Sequence, residues 1–178
     1  MTIQALAERL WRVPGYPREG VTFLDLTPIL RDAQAYRAAV EALGHEVEDL
    51  AFDLVVAPEA RGFLFGAPLA LARGVGFAPV RKAGKLPRET ARARYALEYG
   101  EDELEIHRDA VRAGERVLVV DDLVATGGTV AAVIDLVEGL GGQVAAALCL
   151  VELVELGARS GRLRGHALRS VLRTTETG

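Results

Sequence analysis

The feature that most constrains the fold is an alternation of short apolar runs with helical patterns. The runs are nearly continuous in apolar residues, as in strands that are covered on both faces. They lie at 53–58, 76–82, 116–122 and 143–153. Between them, apolar residues recur three and four positions apart in 34–50 and 130–140, a spacing typical of helices with one apolar face. This alternation predicts an α/β fold, with helices on both faces of a mostly parallel sheet.

Size and composition favour one globular domain spanning 1–178. Half of the 178 residues are hydrophobic, enough for a sizeable core without disulfides or a structural metal. The lone cysteine, Cys149, lies in an apolar run and is expected in the core. A net charge of −4 argues against nucleic acid as the partner. With no apolar run long enough for a membrane span and no signal-peptide pattern, we expect a cytoplasmic protein.

The run 117–129, VLVVDDLVATGGT, carries the strongest functional signal. It places Asp121 and Asp122 at the end of a predicted buried strand, the sheet edge where α/β proteins bind ligands. The small-residue loop 125–129 then leads into a helix, where backbone N–H groups favour an anion. Carboxylates accept hydrogen bonds from hydroxyls or bind a hydrated cation. A ribose 5-phosphate would satisfy both parts; an ordinary strand-to-helix turn is the alternative for the loop alone.

Three further features bear on phosphate chemistry. A nucleotide-hydrolysing P-loop is excluded, because the nearest candidate, Gly84-Lys85-Leu86, lacks the hydroxyl residue that must follow the lysine. The charged stretch 83–109 interrupts the alternation of strands and helices. Its alternating apolar residues predict a loop with a short hairpin, such as a lid over the site. Of the 21 basic residues, the only two lysines are Lys82 and Lys85, which suggests point-charge contacts with a polyphosphate.

The run 117–129 resembles the phosphoribosyl-pyrophosphate (PRPP) motif of the type I phosphoribosyltransferases. Other segments resemble the adenine phosphoribosyltransferases, in the same order along about residues 12–155. These segments are 16–30, 59–70, 79–90, 95–100 and 104–110. The resemblance implies a type I phosphoribosyltransferase fold, with a mostly parallel twisted sheet, a small hood at about 12–30 and a flexible lid at about 83–107. It also implies a homodimer that uses Mg²⁺ and converts adenine and PRPP to AMP and pyrophosphate in purine salvage.

The same resemblance implies a role for each matching residue. The ribose hydroxyls, with the Mg²⁺ carried by PRPP nearby, would be bound by Asp121 and Asp122. The 5-phosphate would be bound by Ala125, Thr126, Gly127, Gly128 and Thr129. The pyrophosphate would be bound by Glu59, Ala60, Arg61, Lys82 and Lys85. Adenine would be bound by Thr22, Phe23, Leu24 and Leu123. The catalytic residues would be Arg61, Glu98 and Tyr99.

Two alternatives remain at this point. Leu24 stands where the family often has a basic residue, so another purine, hypoxanthine or guanine, could be the substrate. A non-catalytic regulator that senses PRPP or nucleotides could also use this fold.

The resemblance further predicts a cis peptide at Glu59–Ala60. We also expect Asp121 and Asp122 to be solvent-accessible, and the lid to have little apolar content that anchors it to the core.

Overall fold

The computed structural model describes residues 1–96 and 101–175. Its strands are β1 (Trp11–Pro14), β2 (Thr22–Asp25), β3 (Leu54–Pro58), β4 (Gly76–Lys82), β5 (Thr90–Ala96), β6 (Glu101–His107), β7 (Arg116–Val124), β8 (Gln143–Leu153) and β9 (Leu168–Thr174). Its helices are α1 (Ile3–Ala7), α2 (Thr27–Arg31), α3 (Ala33–Glu46), α4 (Arg61–Arg73) and α5 (Gly128–Gly139), with a 3₁₀ turn at Val154–Leu156. Within the described ranges, no helix is both long and apolar enough to cross a membrane.

Seven strands form the central sheet, in the order β5-β6-β4-β3-β7-β8-β9. The five strands from β4 to β9 in that order are parallel, whereas β5 and β6 form an antiparallel hairpin added to the β4 edge. One apolar cluster lies between the sheet and helices α3 and α4, and a second lies between the sheet and α5. The predicted α/β fold with helices on both faces is therefore confirmed.

The predicted elements match closely, and the differences have local causes. Helix α3 ends at Glu46, four residues before the predicted end. Its start is fixed by Asp32, whose carboxylate accepts the N–H groups of Gln34 and Ala35, the usual way to satisfy the free donors of a first turn. Strand β7 continues two residues beyond the predicted end, to Val124. This extension carries Asp121 and Asp122 inside the strand rather than at its tip.

The hood is a separate two-stranded sheet made of β1 and β2. Its inner face joins the core through Leu24, which is 2% exposed. Arg12 fastens the hood to the C-terminal strand, donating to the Thr175 carbonyl at 3.1 Å and to the Thr174 hydroxyl at 2.9 Å. Trp11, at the start of β1, is 67% exposed. The hood is therefore held by the core on one side and open on the other.

The predicted hairpin in the charged stretch is present, but the expectation that little anchors this region to the core is wrong. Leu104 and Ile106 of β6 are 2% and 0% exposed and belong to the cluster beneath α5. Strand β6 also pairs with β4, where Glu105 lies opposite Arg81. Alternation along a strand puts every second side chain on one face, and here that apolar face packs on the core.

Candidate active site

Two helices begin at the edge of the sheet where β3 and β7 end. Helix α4 starts at Arg61, immediately after the cis Glu59–Ala60 peptide, which confirms the predicted isomer. Helix α5 starts at Gly128, after the loop that follows β7. Neither helix has a side chain that caps its first turn, so the backbone N–H groups of both first turns face this edge without that partner. Such helix starts favour anions.

Asp121 and Asp122 lie between the two helix starts and are 8% and 4% exposed. The expectation that this pair is solvent-accessible is wrong. The first turn of α4 covers it so closely that a Cβ atom on Gly62 would lie 3.1 Å from Asp121 Oδ1. The Asp121 carboxylate also contacts the backbone of its neighbour, since the Asp122 N–H donates to Asp121 Oδ1 at 2.9 Å. Two acids are thus held together in a covered position.

The electrostatics of this acidic pair are unfavourable in the free protein. Burial raises the pKa of Asp121 well above its ordinary value, and the neighbouring Asp122 charge adds to the effect. Burial also raises the pKa of Asp122, although Arg61 opposes it. Arg61 Nε lies 2.9 Å from Asp122 Oδ2, but its N–H is not aligned for a hydrogen bond. Among the described residues, this buried oxygen has no hydrogen-bond partner.

An orphaned buried acceptor is costly, and it indicates what the pair can bind. A ligand hydroxyl or a water molecule on a hydrated cation would supply the missing donor. No group of three or more His, Cys, Asp or Glu in the described ranges could enclose a metal ion. The pair therefore fits a cation that arrives with its own water or phosphate ligands, rather than one held by a protein cage.

The loop 125–129 is supported from behind by the C-terminal part of the chain. Gly127 has φ +83°, and a Cβ atom there would lie 3.0 Å from Leu163 and 3.2 Å from Ala158. Only glycine satisfies both the left-handed backbone and this close approach. Thr126 is exposed and Thr129 is half-buried, so both hydroxyls lie near the surface of the loop. The loop has the geometry expected of a phosphate site.

An aromatic cavity of about 360 Å³ lies between the hood and the start of α4. Its lining residues are Val13, Tyr16, Phe23, Asp25, Thr27 and Arg61. The rings of Tyr16 and Phe23 meet edge to face with centroids 5.3 Å apart. The Arg61 guanidinium lies 5.2 Å from the Phe23 ring centroid, within the range of a cation–π contact. Arg61 therefore connects the acidic pair with the aromatic cavity.

Glu59 holds the end of β4 beside the helix α4 start. Its Oε2 accepts Arg81 Nε at 3.0 Å and Nη2 at 2.7 Å, while Oε1 accepts the Lys82 backbone N–H at 2.7 Å. Burial works to raise the pKa of Glu59, but these bonds and the Lys85 charge hold it below its ordinary value. Because both oxygens are engaged, the carboxylate positions Lys82 rather than meeting an anion itself.

Comparison with known proteins identifies this arrangement. Residues 27–173 match the family model of the phosphoribosyl transferase domain. The adenine phosphoribosyltransferase of Thermoanaerobacter sp. (strain X514) is 56% identical over 127 residues, covering 71% of this chain and 73% of that protein. The Vibrio cholerae serotype O1 adenine phosphoribosyltransferase is 56% identical over 126 residues, covering 71% and 70%. The chain belongs to the adenine phosphoribosyltransferase family.

Solved adenine phosphoribosyltransferases share the whole architecture. The enzyme from Thermoanaerobacter pseudethanolicus superposes with a TM-score of 0.95 at 50% identity, covering 97% of this chain and 100% of that chain. The Saccharomyces cerevisiae enzyme, crystallised with an imino-altritol bisphosphate and adenine, gives a TM-score of 0.90 at 42% identity, covering 96% and 98%. The predicted type I phosphoribosyltransferase fold is therefore confirmed.

The residues that the family resemblance assigned to adenine separate in the structure. Phe23 lines the aromatic cavity, whereas the Leu24 side chain points into the core. Alternation along β2 explains the difference, because neighbouring side chains face opposite sides of a strand. Thr22 and Leu123 are half-buried, and neither lines the cavity. Burial of the Leu24 side chain removes it from direct side-chain contact with a base in this cavity.

The remaining residues assigned by the resemblance lie at the rim or outside the description. Ala60 precedes α4, and Ala125 packs partly against the core. Lys82 and Lys85 are exposed at the end of β4. Glu98 and Tyr99 lie outside the described residues, and their roles stay predictions.

Several contributors to the site of this adenine phosphoribosyltransferase family member were missed in the sequence. Asp25 and Thr27 line the cavity, and Asp25 accepts both the N–H and the hydroxyl of Thr27, at 2.9 and 2.8 Å. Ala158 and Leu163 support Gly127. The sequence offers no signal for this support, because Ala158 and Leu163 lie in a charged segment without an apolar repeat.

Proposed function

We propose that this chain transfers the phosphoribosyl group of PRPP to adenine, giving AMP and pyrophosphate, as a single domain in purine salvage. The observation that carries the proposal is the buried acidic pair between two uncapped helix starts. PRPP has the matching sequence of groups: a phosphate, two vicinal hydroxyls and a pyrophosphate. The proposed location is the cytoplasm, as expected from the sequence.

Each part of PRPP has a partner in this arrangement. The loop 125–129 and the start of α5 bind the 5-phosphate through backbone N–H groups. Asp121 and Asp122 accept the ribose hydroxyls, which supply the donor that Asp122 Oδ2 lacks. The start of α4, with Arg61, Lys82 and Lys85, binds the pyrophosphate. Asp121 and Asp122 would hold the water molecules of a Mg²⁺ ion that arrives with PRPP, and such an ion would supply charge neutralisation at the leaving group.

The reaction breaks the bond between the ribose C1 atom and a pyrophosphate oxygen, and forms a bond from C1 to N9 of adenine. Negative charge develops on the departing oxygen, where preorganised cations stabilise it. Two observations support this role for Arg61: its side chain is 43% exposed, and its contacts with Asp122 and the Phe23 ring join the acidic pair to the aromatic cavity. Binding of the ribose hydroxyls to Asp122 releases Arg61 toward the leaving group.

Adenine occupies the cavity beside Phe23, where its ring stacks on an aromatic wall. Adenine N9 loses a proton as the new bond forms, and Glu98 accepts that proton. Tyr99, next to Glu98, shields the positively charged ribose from water, which would otherwise hydrolyse PRPP. Both assignments come from the family resemblance.

We propose that the active form is a homodimer. The outward face of α4 exposes Leu64 and Leu71, which are 40% and 83% exposed, and Phe63 packs edge to face on Phe77 beside them. Apolar groups concentrated on one helix face are typical of protein interfaces. Sedimentation of the purified protein tests this, and a stable, active monomer would exclude it.

The activity is tested with a panel of bases. Purified protein is incubated with PRPP, Mg²⁺ and adenine, hypoxanthine or guanine in turn, and pyrophosphate release is followed. We expect adenine to react fastest and turnover to require both PRPP and Mg²⁺. Faster reaction with hypoxanthine or guanine would assign the enzyme to another purine. No reaction with any base would favour the regulator that senses PRPP.

A further inference from the structure

The two lysines of the chain lie at the ends of one tight turn. The Lys82 carbonyl accepts the Lys85 N–H at 3.3 Å, which closes a four-residue turn over 82–85. Gly84, the third residue of the turn, has φ +81°, as a type II turn requires. The backbone thus brings Lys82 and Lys85 to the same corner of the molecule, at the end of β4.

A buried carboxylate from the neighbouring strand anchors this turn. Glu105 of β6 is 1% exposed, and its Oε1 accepts the N–H groups of Lys85 and Leu86, both at 2.9 Å. Its Oε2 accepts the Thr90 hydroxyl at 3.2 Å and lies 3.4 Å from Arg92 Nε. Burial works to raise the pKa of Glu105, yet the backbone N–H groups and Thr90 hold it below its ordinary value. Glu105 is therefore a charged anchor at neutral pH.

The corner that Glu105 anchors faces the start of α4. Glu59, two residues before Arg61, accepts the Lys82 N–H, and the Lys85 charge is among the groups that oppose the effect of burial on Glu59. Glu59 and Glu105 thus accept hydrogen bonds from the two ends of the turn 82–85. A lysine side chain loses considerable rotamer freedom when it binds a ligand. If the lysine backbone is already fixed in the free protein, less conformational entropy is lost when the ligand binds.

We infer that Glu105 is a positioning residue that presents Lys85 to the pyrophosphate of PRPP. The inference rests on the proposed function, since it assumes that pyrophosphate binds at the start of α4. Glu105 does not touch the ligand itself; it acts through the Lys85 and Leu86 backbone. Loss of Glu105 should therefore weaken ground-state binding of PRPP and pyrophosphate, and leave the chemical step nearly unchanged.

The test compares Glu105→Ala and Glu105→Gln with the wild type. We expect Glu105→Ala to raise the KM for PRPP and the Kd for Mg²⁺-pyrophosphate, measured by calorimetry, by about tenfold, roughly the effect of losing one charge-assisted hydrogen bond. The kcat should change much less. Glu105→Gln should recover part of the affinity, because its amide oxygen can still accept both N–H groups. Glu103→Gln is the matched control, since Glu103 lies on the same strand and pairs with the side chains of Arg92 and Arg94.

A double-mutant cycle decides whether Glu105 acts through Lys85. In a Lys85→Ala background, Glu105→Ala should have little further effect on the pyrophosphate Kd, because the group it positions is already absent. An undiminished effect in that background would overturn the inference. So would a lower melting temperature with an unchanged Kd, which would mark Glu105 as merely structural. Glu105→Gln keeps the test informative if Glu105→Ala does not fold.

The binding arm also separates this inference from the proposed function. A wild-type protein that binds Mg²⁺-pyrophosphate but turns over no base would overturn the proposed function, and the Kd comparison would still decide the role of Glu105. A wild-type protein that does not bind Mg²⁺-pyrophosphate would overturn the inference about Glu105.

Discussion

Buried carboxylates in two regions of this chain have opposite chemistry. In the acidic pair, Asp121 and Asp122 have raised pKa values, and one oxygen lacks a hydrogen bond. Elsewhere, the buried Glu105 and Glu152 and the half-buried Glu59 accept hydrogen bonds on both oxygens and have lowered pKa values. We refer to these three as the scaffold carboxylates.

The difference shows that burial alone does not mark a functional acid. Asp122 and Glu152 are 4% and 2% exposed, yet only Asp122 has an unsatisfied oxygen. Glu152 meets two nitrogens of Arg159 at 2.6 Å and the Ser170 hydroxyl at 2.7 Å. A buried carboxylate whose oxygens all accept hydrogen bonds stabilises the fold. A buried carboxylate that lacks a hydrogen bond can gain one from a ligand. The following experiments test that distinction.

The largest effect is expected at Glu98, which lies outside the described residues and so belongs to neither group of carboxylates. If Glu98 takes the adenine proton, Glu98→Gln should lower kcat by about 10²–10⁴-fold, as typical for a general base. The melting temperature should stay unchanged, and the KM for PRPP should change little. Steady-state kinetics and thermal unfolding measure both. Turnover near the wild-type rate would mean that Glu98 only shields the base.

Among the scaffold carboxylates, Glu152 should respond in stability alone, whereas Glu105 should also affect pyrophosphate binding. Glu152→Gln weakens the charge-assisted hydrogen bonds from Arg159, whose side chain is 41% exposed, and is expected to lower the free energy of unfolding by about 2–3 kcal/mol. Denaturant unfolding measures the loss. The kcat of the protein that remains folded should be close to that of the wild type. A large loss of kcat without loss of stability would place Glu152 with the functional acids and break the comparison.

The acidic pair should respond in activity rather than by a loss of stability, and the effect should be smaller. Asp122→Asn keeps the shape but weakens its bond to a ribose hydroxyl, so kcat/KM for PRPP should fall by about 30-fold. Stability should rise slightly, because a buried and poorly satisfied charge is removed and Arg61, 43% exposed, can turn to water. Asp121→Asn provides the companion measurement. A strongly destabilised Asp122→Asn protein would instead show that the pair holds the fold together.

The smallest effect is the pH dependence of these stability changes. The folded pKa of Asp122 is raised above its ordinary value of 3.8, so its ionisation destabilises the fold as pH rises above that value. The stability gained in Asp122→Asn should therefore vanish in more acidic solution. Glu152 has a folded pKa below its ordinary value of 4.5, so its stabilisation is complete above that value and is lost as pH falls through the folded pKa.

Denaturant unfolding of the two variants and the wild type across the acidic range measures this contrast. We expect the difference from wild type to shrink toward low pH in both cases, with opposite signs at neutral pH. Two variants whose differences share one sign at neutral pH would contradict the division between functional and scaffold carboxylates.

Local patterns in the sequence were sufficient for most of the fold. The predicted strands at 53–58 and 76–82 match β3 and β4 almost residue for residue. A continuous apolar run is the pattern of a strand that is covered on both faces, and this pattern is visible in the sequence itself. The predicted loop 125–129 does lead into a helix, but α5 begins at Gly128, so the last two residues of the predicted loop form the first turn of that helix. In each case, the signal and the structure lie in the same stretch of chain.

What the sequence did not reveal depends on contacts between distant segments. The burial of Asp121 depends on the path of Gly62 in α4. The support of Gly127 depends on Leu163, in a segment whose charged residues gave no indication of a buried face. Leu104 and Ile106 had the right alternation, but their packing beneath α5 required the order of strands in the sheet. Such pairings across the fold leave no local pattern.

The exposed outer side of the hood gives the protein an optical property. Trp11 is the single tryptophan, and in β1 it pairs with Asp25, a residue that lines the aromatic cavity. An indole in contact with water emits at longer wavelengths than one that is covered. Excitation of tryptophan therefore reports on one place only, the start of β1 opposite Asp25. We expect titration with adenine or AMP to change this intrinsic emission, which would make binding measurable without attaching a dye.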